Sequence, residues 1–202
     1  MRGAGALIAA LTMCVSIGLS APAHAVPSKD RYAIGDSVML GARTALKETG
    51  FRVDATESRQ AYSGPALVRK KGSTLPENVV VHLGTNGTVP LSTCKSLVKA
   101  AGPERRVFLV NVYVPRSWED SNNAVIRQCN EAFAPDRVHV IDWNATASRH
   151  RSWFYSDRIH LRPAGGEAFA RLLDDSVDKA VRDARSAAIA SASGSGTARL
   201  EG

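Results

Sequence analysis

Ile34-Gly35-Asp36-Ser37-Val38 sets a serine at the point where an extended run gives way to a helical one. Upstream, Arg31 to Ile34 reads as the end of a partly apolar strand. Downstream, Val38 to Glu48 carries Val38, Ala42, Ala45 and Leu46 at helical spacing. The pattern predicts Ser37 at a helix N-terminus. Free N–H groups and the positive end of the helix dipole favour negative charge there, which suits a hydroxyl that attacks a carbonyl and leaves an oxyanion beside it. Asp36 or Ser37 also fits a plain helix cap. Partners elsewhere in the chain must decide between the two.

Outward from this turn, strand-like runs alternate with helical ones. Tyr32 to Ile34, Phe51 to Ala55, Val79 to Leu83, Val107 to Tyr113 and Val138 to Trp143 read as strands. Val38 to Glu48, Leu67 to Lys71, Cys94 to Ala100 and Asn122 to Phe133 read as helices. Val79-Val80-Val81 and Val107-Phe108-Leu109-Val110 lack polar alternation, as strands covered on both faces do. The prediction is an α/β fold, a three-layer α/β/α sandwich around a parallel sheet, with its site beyond the carboxyl ends of the strands. A last helix is predicted from Pro163, buried through Phe169, Leu172, Leu173, Val177, Ala180 and Val181. From Ala187 the composition turns to Ala, Ser and Gly, predicting a disordered tail over residues 187–202.

The first 25 residues read as a leader: Arg2, an apolar run from Ala4 to Leu19, and the small-x-small pattern Ala23-His24-Ala25. Cleavage there is expected to give an extracytoplasmic protein with a catalytic domain over 26–186 and no membrane span. It removes one basic and no acidic residue, so the formal charge falls from +7 to +6. That charge suits an anionic cell envelope. Its Lys and Arg are scattered among acids, which argues against a nucleic-acid partner. The composition, 44% hydrophobic and 22% charged, is that of an ordinary globular domain, expected to be a monomer. Cys94 and Cys129 remain after export. A disulfide closing that loop is worth roughly 4 kcal/mol in the chain-entropy model, and two buried thiols are the alternative. Neither has the neighbours of a metal or redox site, and no glycine-rich phosphate loop occurs, so no metal and no cofactor is expected.

Two further clusters could serve Ser37. Asp157-Arg158-Ile159-His160 precedes the last helix, and Asp157 can hold Nδ1 of His160 so that Nε2 takes the Ser37 proton. A loop-capping aspartate beside a satisfied histidine is the bland account. His82-Leu83-Gly84-Thr85-Asn86-Gly87 ends the third strand. Asn86 could donate to an oxyanion from a turn that Gly84 and Gly87 allow, and His82 reads as strand-packed. Arg116, Trp118 and Tyr155 are candidate substrate contacts, although such aromatics are more often loop anchors. Arg59-Gln60 could line the cleft from the second strand.

Gly-Asp-Ser, Gly-x-Asn and Asp-x-x-His, in that order, resemble the blocks of the SGNH (GDSL-type) hydrolase superfamily, over Tyr32 to Val181. The longer strings around Ser37, Asn86 and His160 are most similar to the extracytoplasmic SGNH domains attached to membrane acyltransferases, some of which O-acetylate peptidoglycan. The multi-span half of those proteins is not expected here. The resemblance implies a central five-stranded sheet in flavodoxin-like order. It also implies Ser37 as nucleophile, His160 as base and Asp157 as orienting acid. The implied oxyanion hole combines the Ser37 N–H, the Asn86 amide and a block-two glycine, for which Gly64 is the candidate. Gly87 departs from the aspartate that follows the asparagine in many members. In the implied order the helices bearing Cys94 and Cys129 are neighbours, which makes their disulfide reasonable.

The expected activity is that of a secreted serine esterase on an acetyl or short acyl oxygen ester of a carbohydrate. An O-acyltransferase to a cell-wall sugar hydroxyl shares every catalytic residue. A non-catalytic envelope-binding protein on the same fold is the competing view.

Overall fold

The computed structural model describes residues 31–197, with side chains to residue 192; the expected leader and the last five residues of the expected tail lie outside the described residues. Five parallel strands, β1 (Arg31–Gly35), β2 (Phe51–Ala55), β3 (Asn78–His82), β4 (Arg106–Val110) and β5 (Val138–Ile141), lie in the order β2-β1-β3-β4-β5. This is the flavodoxin-like order. The last residue of β1, Gly35, pairs with Ala55 on one side and His82 on the other, so three strand ends stand level at the edge where Ser37 follows.

The helices are α1 (Ser37–Gly41), α2 (Arg43–Glu48), α3 (Gly64–Lys71), α4 (Leu91–Ala101), α5 (Glu119–Glu131), α6 (Trp143–Ala147) and α7 (Pro163–Thr197). They cover both faces of the sheet. Ala33 and Val80 join a core with Met39, Leu46, Trp143 and Phe169. Their strand neighbours Ile34, Val79 and Val81 point the other way, to a core with Val68, Leu97 and Cys129. β1, β3 and β4 feed both cores because successive side chains alternate, which is why residues 79–81 and 107–110 are apolar throughout, while edge strand β2 feeds only the first.

Three features depart from the sequence reading. The helix expected from Val38 to Glu48 is broken at Ala42, where α7 crosses so closely that a Cβ on Gly166 would lie 3.4 Å from both Ala42 Cα and Gly41 O. The fourth strand stops at Val110 although the apolar run continues to Tyr113, because Asn123 of α5 takes over the backbone of Val112. Its Oδ1 accepts from Val112 N and its Nδ2 donates to Val112 O, both at 2.8 Å. The final helix runs to Thr197, past the expected start of the tail at Ala187. Alanine has the highest helix propensity and fills much of residues 187–192, so local preference carries the helix on through that stretch while residues 185–192 stay exposed.

Two links hold the layers together. Cys94 of α4 and Cys129 of α5 form a disulfide, with Cα atoms 6.2 Å apart. Arg31, buried at the start of β1, pairs with Asp174 and Asp178 on α7. Among the described residues no helix is long and apolar enough to cross a membrane.

Candidate active site

The residue that resolves the Asp-Ser ambiguity is Asp36. Fully buried, it caps α1 by accepting from Val38 N at 3.1 Å. Its other oxygen accepts from Thr85 N at 3.3 Å, and its own N–H donates to His82 O at 3.3 Å. Nδ1 of His82, also buried, lies 3.4 Å from Asp36 Oδ1, and its ring meets Phe169 edge-on. One carboxylate therefore caps the helix and clamps the β3 turn. With the cap supplied by Asp36, the Ser37 hydroxyl is left for other partners. Its N–H, first in the helix, has no intrahelical acceptor. Because α1 is a single short helix, the Ser37 hydroxyl sits on only a weak dipole.

The hydroxyl finds His160. Nε2 lies 3.1 Å from Ser37 Oγ, across 123 residues of sequence, and Nδ1 lies 2.7 Å from Asp157 Oδ2. An ionised carboxylate only accepts, so Nδ1 carries the proton and Nε2 presents its lone pair to the serine. The other Asp157 oxygen accepts from the Ile159 and His160 N–H groups at 2.9 and 3.0 Å. Burial works to raise the Asp157 carboxyl; its bonds from the His160 ring and these N–H groups outweigh that and hold it below the usual range. The loop needs Arg158 at φ 61, a left-handed conformation, and is closed at its base by an antiparallel bridge between Phe154 and Leu161.

Ser37 and His160 open on a groove of about 590 Å3 between α1, α2 and the start of α7, walled by Leu40, Thr44, Tyr155 and Glu167. Tyr155, 52% exposed, is therefore at the cleft. Arg116 and Trp118 are not among its walls. Arg116 is exposed and bonds to Pro115 O, while Trp118 packs against the core and its carbonyl accepts from Asn122 N at the start of α5. Trp153 is stacked on His150 at 3.9 Å.

Asn86 follows Thr85, the residue clamped by Asp36, and its Nδ2 donates to Arg59 O at 3.3 Å. An amide nitrogen carries two hydrogens, which leaves one for an incoming oxygen. Gly64 opens α3 and is not among the groove walls; a Cβ there would lie 2.6 Å from Leu97 Cδ1 and 3.2 Å from Leu83 Cδ1, so close packing is one thing its small size serves. The backbone that Asn86 meets is the turn of Ser58 and Arg59, with Ser58 at φ 56. Gly87, at φ 151, accommodates Gln60, whose Oε1 would be 3.2 Å from an added Cβ. That positive φ, a conformation side-chained residues rarely adopt, accounts for glycine where many members of the family carry aspartate.

Two supports of the site escaped the sequence reading. Asn122, buried in α5, accepts from Val89 N at 2.8 Å and donates to Gly84 O and Gly87 O at 3.0 and 2.9 Å, bracing the turn that carries Asn86. Arg59 turns inward instead of lining the cleft. The only signal for Asn122 was a polar residue on a helix face that periodicity assigns to the core.

No protein-family model matches the chain. It is 33% identical over 151 residues to the peptidoglycan O-acetyltransferase OatA of Listeria monocytogenes, an alignment covering 73% of this chain and 24% of that protein. With the O-acetyltransferase OatA of Staphylococcus aureus it shares 32% over 149 residues, 69% of this chain and 24% of the relative. The chain thus spans about a quarter of the length of these curated relatives. Among solved structures, the C-terminal catalytic domain of Streptococcus pneumoniae peptidoglycan O-acetyltransferase A superposes with a TM-score of 0.64 at 25% identity, covering 77% of this chain and 94% of that one. A family 3 carbohydrate esterase from Clostridium thermocellum superposes at 0.62 with 16% identity, over 76% and 97% of the two chains, a likeness of fold.

Proposed function

Because this chain belongs to the SGNH (GDSL-type) hydrolases, we propose that it is an extracytoplasmic serine esterase acting on acetyl or short acyl oxygen esters of carbohydrate. The observation that carries the proposal is the unbroken path from Asp157 through His160 to the Ser37 hydroxyl at the mouth of a groove. Ser37 Oγ attacks the ester carbonyl and its proton passes to Nε2 of His160; the Ser37 N–H and the free hydrogen of the Asn86 amide meet the oxyanion. On collapse, Nε2 returns the proton to the departing alcohol and an acyl-serine remains. A second hydroxyl, from water or sugar, then attacks the acyl carbon and gives its proton to Nε2, which passes it to Ser37 Oγ as the acyl–serine bond breaks. The Asp157 carboxylate stabilises the imidazolium in both halves.

Transfer to a sugar hydroxyl is the second reading, favoured by the sequence likeness to peptidoglycan O-acetyltransferases. The leader-like N-terminus supports export, and the Cys94–Cys129 disulfide suits an oxidising compartment. Turnover of a chromogenic acetyl ester by the mature protein tests the proposal. Ser37→Ala is expected to lose most turnover while stability changes by no more than about 1 kcal/mol, since Asp36 retains the cap; equal turnover in both proteins rejects Ser37 as nucleophile. With an acyl donor and a chitooligosaccharide present, acylated sugar in the mass spectrum identifies a transferase. Release strictly as free acid identifies an esterase.

A further inference from the structure

Arg59 stands at the join of the three segments around Ser37 without touching a reacting atom. Its guanidinium, 11% exposed, donates to Gly35 O at 3.1 Å, Asp54 O at 2.5 Å, Asp54 Oδ1 at 2.7 Å and Thr56 Oγ1 at 3.2 Å. It thereby fastens the end of β2 to the end of β1, two residues before Ser37. Its own carbonyl is the acceptor for Asn86 Nδ2 at 3.3 Å. The backbone just before it is left-handed at Ser58, whose carbonyl accepts from Gln60 Nε2 at 3.3 Å.

This geometry needs a buried cation with a matched anion, and Asp54 supplies it. Burial works to raise the Asp54 carboxyl, but bonds from Arg59 and Tyr32, with the charges of Arg59 and Lys71, outweigh it and hold the group ionised below the usual range. The Tyr32 hydroxyl is pushed up by burial and by Asp54, so it stays a donor. A planar guanidinium spans Gly35 O and the Asp54 carboxylate from separate nitrogens. A lysine ammonium is a point charge and cannot hold the same pair in the same plane.

We propose that Arg59 is a positioning residue for the reaction: anchored to the ends of β1 and β2, it fixes its carbonyl where the Asn86 side-chain amide must dock, and so aims the amide at the oxyanion formed on Ser37. The proposal rests on the reading of Asn86 as an oxyanion donor. Arg59 acts through Asn86, so the effect of changing it must disappear when that amide is gone. A residue that merely stabilises the fold has no such dependence.

A double-mutant cycle in the mature protein measures this. On the acetyl ester, Arg59→Lys is expected to lower kcat about 10- to 100-fold, the range for misaligning or losing one oxyanion donor, with KM changed less than about 3-fold. In an Asn86→Ala background the same change is expected to cost no more than about 2-fold. An equal fold-loss in both backgrounds overturns the proposal. Should Arg59→Lys not fold, Asp54→Asn loosens the same anchor while keeping the arginine, and the same disappearance in Asn86→Ala is required. A readout independent of turnover is the Asn86 side-chain amide pair in a 15N spectrum. Its resonances are expected to move and exchange faster with solvent in the Arg59 or Asp54 variant, and unchanged resonances overturn the proposal even if Ser37→Ala has shown the esterase reading to be wrong.

Discussion

At the scale of single residues, the reacting groups announce themselves while their supports do not. Ser37, Asp157 and His160 lie in short local patterns, and the imidazole and carboxylate are three residues apart, so one turn suffices to join them. The division of labour between Asp36 and Ser37 was not legible, because it depends on Thr85 and His82, contacts made across the sheet. Gly64 was ambiguous for the same reason: a glycine demanded by a neighbouring helix and one demanded by an oxyanion look alike in sequence. Asp157→Asn is expected to lower kcat about 10²- to 10⁴-fold, since an amide can hold the histidine in the wrong tautomer. Steady-state kinetics with a His160→Ala control check this. The Asp157 carboxyl has a depressed pKa in the folded protein, so its contribution to stability is fully present above the ordinary value of 3.8 and is lost as pH falls through the lower, folded value. Acid unfolding curves of the parent and Asp157→Asn are therefore expected to differ above that window and converge below it.

At the scale of elements, the apolar runs of β3 and β4 were the most legible, because those strands feed cores on both faces, while edge strand β2, with Arg52 and Asp54, feeds one. Their ends were less legible. Val112 and Tyr113 continue the apolar run of β4, and only the side chain of Asn123 shows why the ladder stops before them. Its neighbour Asn122 offers a test of bracing. Asn122→Ala orphans the Gly84 and Gly87 carbonyls and the Val89 N–H, and is expected to cost about 2–3 kcal/mol by urea unfolding. The disulfide gives the complementary case. Cys129→Ser is expected to lower stability by about 2–4 kcal/mol by the same measurement, with the ester kinetics of the folded protein retained, since α4 and α5 meet at a distance from the groove.

At the scale of the molecule, α7 decides how the layers close. Its first turns pack on Ala42, and Asp174 and Asp178 further along hold the buried Arg31. Arg31→Met with both aspartates kept is expected to destabilise by about 3 kcal/mol, because two carboxylates then face each other without their shared cation; a thermal melt reads the loss. Deleting residues from Ala187 onward, where the helix is exposed, is expected to leave the melt within about 1 °C. The bridge between Phe154 and Leu161, just ahead of α7, also orders events in time. A growing polypeptide presents Ser37 early, but that alcohol stays chemically idle until translation passes His160 and the final helix docks to bring the base alongside. A nascent chain, or one terminated ahead of α7, therefore cannot attack esters around it, and the newborn enzyme is silent until that helix is in place.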